Sequence, residues 1–175
     1  SASPKAFAQA YPNKPIKIIV PFAAGSATDL TARGLAAKLQ DILKQPIVVD
    51  DKPGASGQLG ASAVAKAAPD GYTLMMGTNT TNAANPALFK KLSYDPDKDF
   101  APIMRCVTGV NVLVVNNDLP IKSVAELIDY AKKNPGKLNY AEASASQRLS
   151  AEMFNKLAGV KIERVPYKAS PQALG

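Results

Sequence analysis

The clearest pattern in the chain is a short apolar run, a turn of small residues, and then apolar positions at helical spacing. The run covers Ile16–Val20 and is rich in β-branched residues, which favour strands. After the small residues of 23–27, apolar side chains recur three and four positions apart over 32–43. Ser26, with Asp29 three residues later, is a typical pair at a helix start. The pattern therefore predicts a strand, a tight turn and a helix.

The same alternation of short apolar runs and helical periods continues along the chain and predicts an α/β fold. A second strand-turn-helix unit at 138–157 mirrors the first, and two apolar runs at 103–107 and 110–115 mark a crossover into a second domain. Further strands are predicted at 46–50, 72–76, 138–141 and 161–165, and further helical faces at 59–67, 124–131 and 149–157.

Small or polar residues follow three of the predicted strands, at 25–26, 54–57 and 77–82. If these strands are parallel, the three loops meet at one edge of the sheet. Free backbone N–H groups at helix starts and nearby hydroxyl groups would favour a small anion there. Most strand-turn-helix units bind nothing, and that alternative stays open.

The net charge of the chain gives only weak information about binding partners. The formal net charge is +7, from 21 basic and 14 acidic residues, without a block of like charges. Aromatic residues make up 6% of the chain, and no nucleic-acid motif is present, so nucleic-acid binding is disfavoured. A mildly basic surface helps to gather small anions, although a surplus of solvated lysines explains it equally well.

The residue types that most enzymes and zinc sites need are scarce. The chain has no histidine and one cysteine, Cys106, which excludes the usual general base, a Cys/His zinc site and an intrachain disulfide. We expect Cys106 to be buried as a small apolar side chain. For an enzyme, Asp29 beside Ser26 and Thr28 is the best candidate base, but a helix-start role for Asp29 is strongly favoured. No catalytic residue, metal or cofactor is predicted.

Residues 1–10, SASPKAFAQA, contain the A-x-A form of a signal-peptidase site. They are interpreted as the remnant of an export signal. A flexible tail or an expression-vector remnant is the alternative.

Four stretches carry a resemblance to a known family. They read YPNKPIKIIVPFAAGSATD, DDKPGASGQLGASAVAKAAPDGYTL, KKLSYDPDKDFAPI and VLVVNNDLPIKSVAELIDYAKKNPGKLNYA, within a match from Tyr11 to about Tyr167. On these motifs the chain resembles the Bug (tripartite tricarboxylate transporter, TctC-like) periplasmic solute-binding proteins. The resemblance implies a two-lobed, periplasmic-binding-protein-like α/β fold of the Venus-flytrap type II class. It also implies a periplasmic location, no catalysis, and capture of a small carboxylate for membrane transporter subunits.

The resemblance further implies a first lobe at 11–106 and a partial second lobe at 107–175. Turns on each lobe would hold the solute through backbone N–H groups and hydroxyl groups. The residues that match those turns are Gly25, Ser26, Thr28, Asp29, Ser56, Gly57, Thr78, Thr81, Asn82, Ser144, Ser146 and Gln147.

A different class of function is kept as an alternative. Family members are longer, so the second sheet is expected to be incomplete and to expose an apolar edge. A homodimer or strand exchange would cover such an edge. In this alternative the chain is an interaction or sensing module that assembles with itself and has lost solute binding.

Overall fold

The computed structural model describes residues 11–167 and 170–174, which form two compact units divided between Gly77 and Thr78. The predicted signal remnant at 1–10 lies outside the described residues. This division does not test the lobes predicted at 11–106 and 107–175, which remain a prediction. Each unit is described by itself below.

The first unit is a three-stranded parallel sheet with two main helices. Strand β1 lies in the centre, between β2 and β3, and pairs in parallel with both. The strands and the two main helices agree with the predicted ones to within two residues, and the 3₁₀ turn was predicted only as a loop. They are β1 (Ile16–Val20), α1 (Ala27–Leu43), β2 (Ile47–Asp51), a 3₁₀ turn (Ala55–Gly57), α2 (Gln58–Ala65) and β3 (Thr73–Met75).

The core of the first unit lies along β1. Ile18 and Ile19 point to opposite faces of the sheet, and both are almost fully buried, so both faces are covered. Helix α1 covers the Ile18 face with Ala32 and Ala36, whose small side chains allow a close approach. Because the strand order reverses after β2, right-handed crossovers place α2 on the other face.

The second unit contains a parallel pair of strands, β4 and β5, with helices around it. The strand-turn-helix unit predicted at 138–157 is confirmed, and a short helix at the end of the described residues was not predicted. The elements are a π-helical turn (Thr80–Ala84), α3 (Asn85–Leu88), α4 (Val124–Lys133), β4 (Asn139–Glu142), α5 (Ala145–Ala158), β5 (Glu163–Pro166) and α6 (Ser170–Leu174).

The second unit has a small core. Leu127 and Ala131 of α4 pack with Ile121 and Leu138, and Phe154 of α5 contacts this cluster. The sheet beneath it has only two strands within the described residues, which is thin for an independent core.

The apolar stretch at 103–115 belongs to no helix or strand in the part of the chain that is described. Its side chains are strongly exposed, with Val110 at 85% and Ile103 at 77%. The prediction that Cys106 is buried is wrong, because Cys106 is exposed within this stretch. The stretch has the composition of a buried strand but finds no partner strand among the described residues, so its side chains stay in solvent.

None of the described helices is both long and apolar enough to span a bilayer. Among residues 11–167 and 170–174, no three Cys, Asp or Glu side chains gather in the way a metal ion needs.

Candidate functional site: two strand-to-helix corners

The α1 corner is the turn from Gly25 to Asp29, at the end of the loop that connects β1 to α1. Ser26 caps the helix, and its hydroxyl accepts a hydrogen bond from the Asp29 N–H at 3.2 Å. Gly25 has a positive φ of 78°, which a residue with a side chain rarely adopts. The amides of Ala27 and Thr28 have no carbonyl within the helix to donate to, since they belong to its first turn. This corner therefore offers N–H donors at the positive end of a 17-residue helix.

An ionic cluster of a buried aspartate and a half-exposed arginine lies beneath this corner. Asp29 is 2% exposed, and its Oδ2 accepts the Gly25 N–H at 2.8 Å. Arg33 Nε lies 2.7 Å from Asp29 Oδ1, an ion pair that does not meet hydrogen-bond geometry. The Arg33 Nη2 group donates to Asp51 Oδ2 at 2.7 Å. One guanidinium therefore holds two carboxylates, one on α1 and one at the end of β2.

The charges of this cluster compete with one another. Burial raises the pKa of Asp51, and the nearby charge of Asp29 raises it further, while Arg33 opposes both effects. Asp29 directs an oxygen at a backbone amide, while the Ser26 hydroxyl is used as an acceptor, so the two do not form a nucleophile and its base. The helix-start role predicted for Asp29 is confirmed by this geometry.

The second predicted loop contains Ser56 and Gly57, between β2 and α2. Ala55 and Ser56 both adopt positive φ angles, 47° and 55°, although each carries a side chain. A Cβ added at Gly60 would lie 2.7 Å from Pro21 Cα, so α2 can approach the end of β1 only because residue 60 is glycine. Since β1 and β2 are parallel, this loop and the α1 corner leave the same edge of the sheet.

The third predicted loop belongs to the second unit. The Thr81 hydroxyl accepts the Thr78 N–H at 3.0 Å and lies 2.6 Å from Asn82 Oδ1. The Tyr94 hydroxyl donates to the Thr81 carbonyl at 2.6 Å, and burial raises the pKa of Tyr94. The Thr78 Oγ1 atom is buried and has no hydrogen-bond partner among the described residues. Asn82 also lines an open cleft of about 580 Å³.

The α5 corner is the turn from Ala143 to Gln147, which connects β4 to α5. Ser144 caps the helix and accepts the Gln147 N–H at 3.4 Å, while Gln147 Oε1 accepts the Ala143 N–H at 2.8 Å. The Ser146 hydroxyl lies 3.2 Å from that of Ser144 and 3.1 Å from that of Thr80. This corner is therefore a cluster of uncharged hydroxyl groups at a helix start.

Within each unit the structure brings several predicted residues together. The first unit groups Gly25, Ser26, Thr28 and Asp29 at the α1 corner, with Ser56 and Gly57 in the loop that leaves the same sheet edge. The second unit groups Ser144, Ser146 and Gln147 at the α5 corner and links them to the turn of Thr78, Thr81 and Asn82 through the Thr80 hydroxyl. Their contact with a solute stays a prediction.

Two polar residues at these corners were missed. Arg33 was detectable, because an aspartate and an arginine four residues apart on a helix commonly pair. Thr80 is 1% exposed and meets Ser146 from 66 positions away, which no local pattern reveals.

Comparison with known families identifies the class of protein. Residues 31–175 match the family described as the tripartite tricarboxylate transporter family receptor, TctC. The chain belongs to this family, and the predicted resemblance is confirmed.

Relatives in Bordetella pertussis support the same assignment. A UPF0065 protein of that bacterium is 38% identical over 175 residues, which covers 99% of this chain and 54% of the relative. Protein BugT is 39% identical over 170 residues, which covers 95% of this chain and 52% of BugT. The chain therefore spans about half the length of these relatives.

Solved structures show the same fold. A periplasmic transporter superposes with a TM-score of 0.86 at 44% identity, covering 94% of this chain and 56% of that chain. Rpa4515 of R. palustris, solved with adipate, gives 0.85 at 37% identity with the same coverage. MatC of Rhodopseudomonas palustris, with bound malate, gives 0.80 at 35% identity, again with 94% and 56% covered. The predicted periplasmic-binding-protein-like α/β fold is confirmed, in a family of transport receptors rather than enzymes.

Proposed function

We propose that this protein is a periplasmic solute-binding protein that captures a small carboxylate for a tripartite tricarboxylate-type transporter. The observation that carries the proposal is that two solved proteins of the same fold, at 37% and 35% identity, hold adipate and malate. Both of those solutes are dicarboxylates. The corners of this chain provide the kind of group that recognises a carboxylate, namely N–H and hydroxyl donors at helix starts.

The α1 corner would act through backbone amides at the positive end of its helix. A negative group near such an end gains about 0.3–1 kcal/mol when exposed and up to about 2 kcal/mol when partly buried. Because these donors are fixed by the fold, they need little reorganisation when a solute binds.

The α5 corner would act through hydroxyl groups, which donate to a carboxylate without carrying a charge of their own. The Ser144 and Ser146 hydroxyls lie 3.2 Å apart, and either can be the donor of the pair. Either hydroxyl can therefore rotate its O–H away from the other serine and donate it to a solute carboxylate.

Solute capture is tested by isothermal titration calorimetry on the protein expressed from its own gene. The panel contains mono-, di- and tricarboxylates, with adipamide as the uncharged match for adipate. We expect heat from at least one carboxylate and none from the diamide. Absence of heat from every carboxylate would overturn the proposal.

The periplasmic location and the transporter partner follow from the family and are part of the proposal. Osmotic shock of cells that express the natural gene is expected to release the protein with other periplasmic proteins. Retention with the cytoplasmic fraction would contradict this location.

The second candidate is the interaction module that assembles with itself. The exposed apolar side chains of 103–115 favour it, together with Leu149, Met153 and Leu157, which are exposed on α5. A homodimer or strand exchange would cover these side chains. Light scattering at micromolar concentration is expected to give a dimer mass in this case, and a monomer mass would remove the candidate.

A further inference from the structure

The α1 corner contains a carboxylate that is used entirely inside the protein. Asp29 is 2% exposed, and its Oδ2 accepts the Gly25 N–H at 2.8 Å. Its Oδ1 faces Arg33 at 2.7 Å and is buried. Neither oxygen is therefore placed to meet a solute that arrives from solvent.

The charge at this corner does not by itself attract an anion. Asp29 and Asp51 contribute two negative charges by formal count, and Arg33 contributes one positive charge that both share at 2.7 Å. A carboxylate solute that touched Asp29 would be repelled, and Arg33 is already occupied by two partners. The contacts of this cluster point to a geometric role instead.

We propose that Asp29 and Arg33 are positioning residues for the solute site at the α1 corner, an inference that rests on the proposed function. Asp29 holds the Gly25 amide and so fixes the turn that presents the first amides of α1 to the solute. Arg33 fixes Asp29 in turn, by tying it to Asp51 at the end of the neighbouring strand. Neither side chain contacts the solute.

The variant Asp29→Asn separates this role from direct contact, because the two roles predict opposite signs. If Asp29 faced an anionic solute, removing its charge would strengthen binding. If Asp29 positions the turn, the amide group has to offer an N–H either to Arg33 or to the Gly25 amide, and one of the two contacts is lost. Positioning therefore predicts weaker binding.

The chain provides a matched control at the start of α4. Glu126 there accepts the backbone N–H of Lys122, as Asp29 accepts that of Gly25, but in an exposed turn that contains none of the residues predicted to hold the solute. Glu126→Gln makes the same change from acid to amide at the same helix position. The dissociation constant of each carboxylate that gives heat with the natural protein, with adipate and malate tried first, is measured for both variants, together with the urea unfolding of each.

We expect Asp29→Asn to weaken the binding of each carboxylate that the natural protein binds by about tenfold, or about 1.4 kcal/mol, and Glu126→Gln to leave it unchanged. The same change for every solute that binds is expected from a residue that acts through the backbone. Unchanged or tighter binding in Asp29→Asn would overturn the proposal, whatever the loss in stability.

Arg33 gives a second route to the same answer if Asp29→Asn folds poorly. Arg33→Lys keeps the charge but loses the two-pronged contact with Asp29 and Asp51, so binding is expected to weaken by less than in Asp29→Asn. The combined variant is expected to bind no worse than Asp29→Asn alone, because both changes act on one turn. Full affinity in Arg33→Lys, or additive losses, would count against the proposal.

Amide hydrogen exchange separates the failure of this inference from the failure of the proposed function. The Gly25 amide is expected to exchange faster in Asp29→Asn than in the natural protein. The exchange of the Lys122 amide, compared between Glu126→Gln and the natural protein, shows the effect of the same change in an exposed turn. If the natural protein binds no carboxylate, the proposed function fails. If Gly25 exchange is unchanged in Asp29→Asn, the positioning role fails, independently of any solute.

Discussion

The α1 and α5 corners share one pattern of capping hydrogen bonds and differ in their electrostatics. In each, a serine caps the helix, and the side chain three residues later accepts the N–H of the residue before the cap at 2.8 Å. That side chain is the carboxylate of Asp29 in one corner and the amide of Gln147 in the other. The carboxylate requires Arg33 as a counter-charge, whereas the amide requires none.

The start of α4 has the same capping contacts as the two corners. Ser123 accepts the Glu126 N–H and Glu126 accepts the Lys122 N–H there, in an exposed turn. What distinguishes the other two corners is their partly buried setting, with Arg33 and Asp51 beneath one and Thr80 beside the other. The comparison teaches that one set of capping contacts occurs in exposed and in partly buried turns, and we predict that the surroundings decide whether the amides serve a solute.

The largest effect is expected from Arg33→Met, which leaves Asp29 buried without its cation. Breaking a buried pair in this way costs about 3 kcal/mol, at the lower end of the usual range because half of the Arg33 side chain is exposed. Urea unfolding at neutral pH measures the loss. The matched change at α5, Gln147→Met, is expected to cost much less, since no charge is stranded, and equal losses would break the comparison.

A smaller effect is expected from Thr80→Val, which removes the hydroxyl that Ser146 contacts at 3.1 Å while keeping the shape of the side chain. The expected loss of stability is about 1–2 kcal/mol, the usual cost of leaving a buried polar partner unpaired. Urea unfolding measures it, with Thr31→Val on the exposed side of α1 as the control. A loss no larger than that of the control would show that the Thr80 contact adds nothing.

The three caps sharpen the comparison further. Ser26→Ala, Ser144→Ala and Ser123→Ala are each expected to cost about 1 kcal/mol of stability, because each removes one acceptor from a helix start. Only the first two are expected to weaken the binding of a carboxylate, as measured by calorimetry. Weaker binding in Ser123→Ala would mean that affinity simply follows stability.

The smallest effect concerns pH. The folded state raises the pKa of Asp51, mainly through burial, so its ionisation costs stability. This contribution is fully favourable below the unfolded pKa, about 4, and is lost as the pH rises through the higher folded pKa. Asp51→Asn should therefore gain stability relative to the natural protein as the pH rises from 3 to 6. A difference in urea midpoint between Asp51→Asn and the natural protein that stays constant across that range would contradict the prediction.

Local contacts explain which parts of the fold were predictable. The starts of α1 and α4 each have a serine cap and an acid three residues later, so the sequence pattern at Ser26 and Ser123 predicted both helix starts. Short apolar runs that alternate with helical periods predicted the α/β class, and the parallel pairing on which the predicted loop cluster depended is found in the structure. The pairing of Arg33 with Asp51, 18 residues away, depends on how a helix lies against a strand, and sequence spacing does not encode it.

The fate of the apolar stretch at 103–115 depends on partners rather than on local pattern. Its composition predicts burial, and the prediction for Cys106 rested on that composition. Burial also needs a neighbouring strand, and the described residues provide none, so the same composition is found in solvent. Strand pairing is non-local, which is why composition alone gave the wrong answer here.

The exposure of this stretch has a consequence for the handling of the chain. Residues 110–115, VNVLVV, form a six-residue window that is rich in β-branched side chains and has neither charge nor proline. Windows of this kind stack into cross-β fibrils when they are left unpaired. A lysine in place of Val112 or Val114 would act as a gatekeeper against such stacking in this chain.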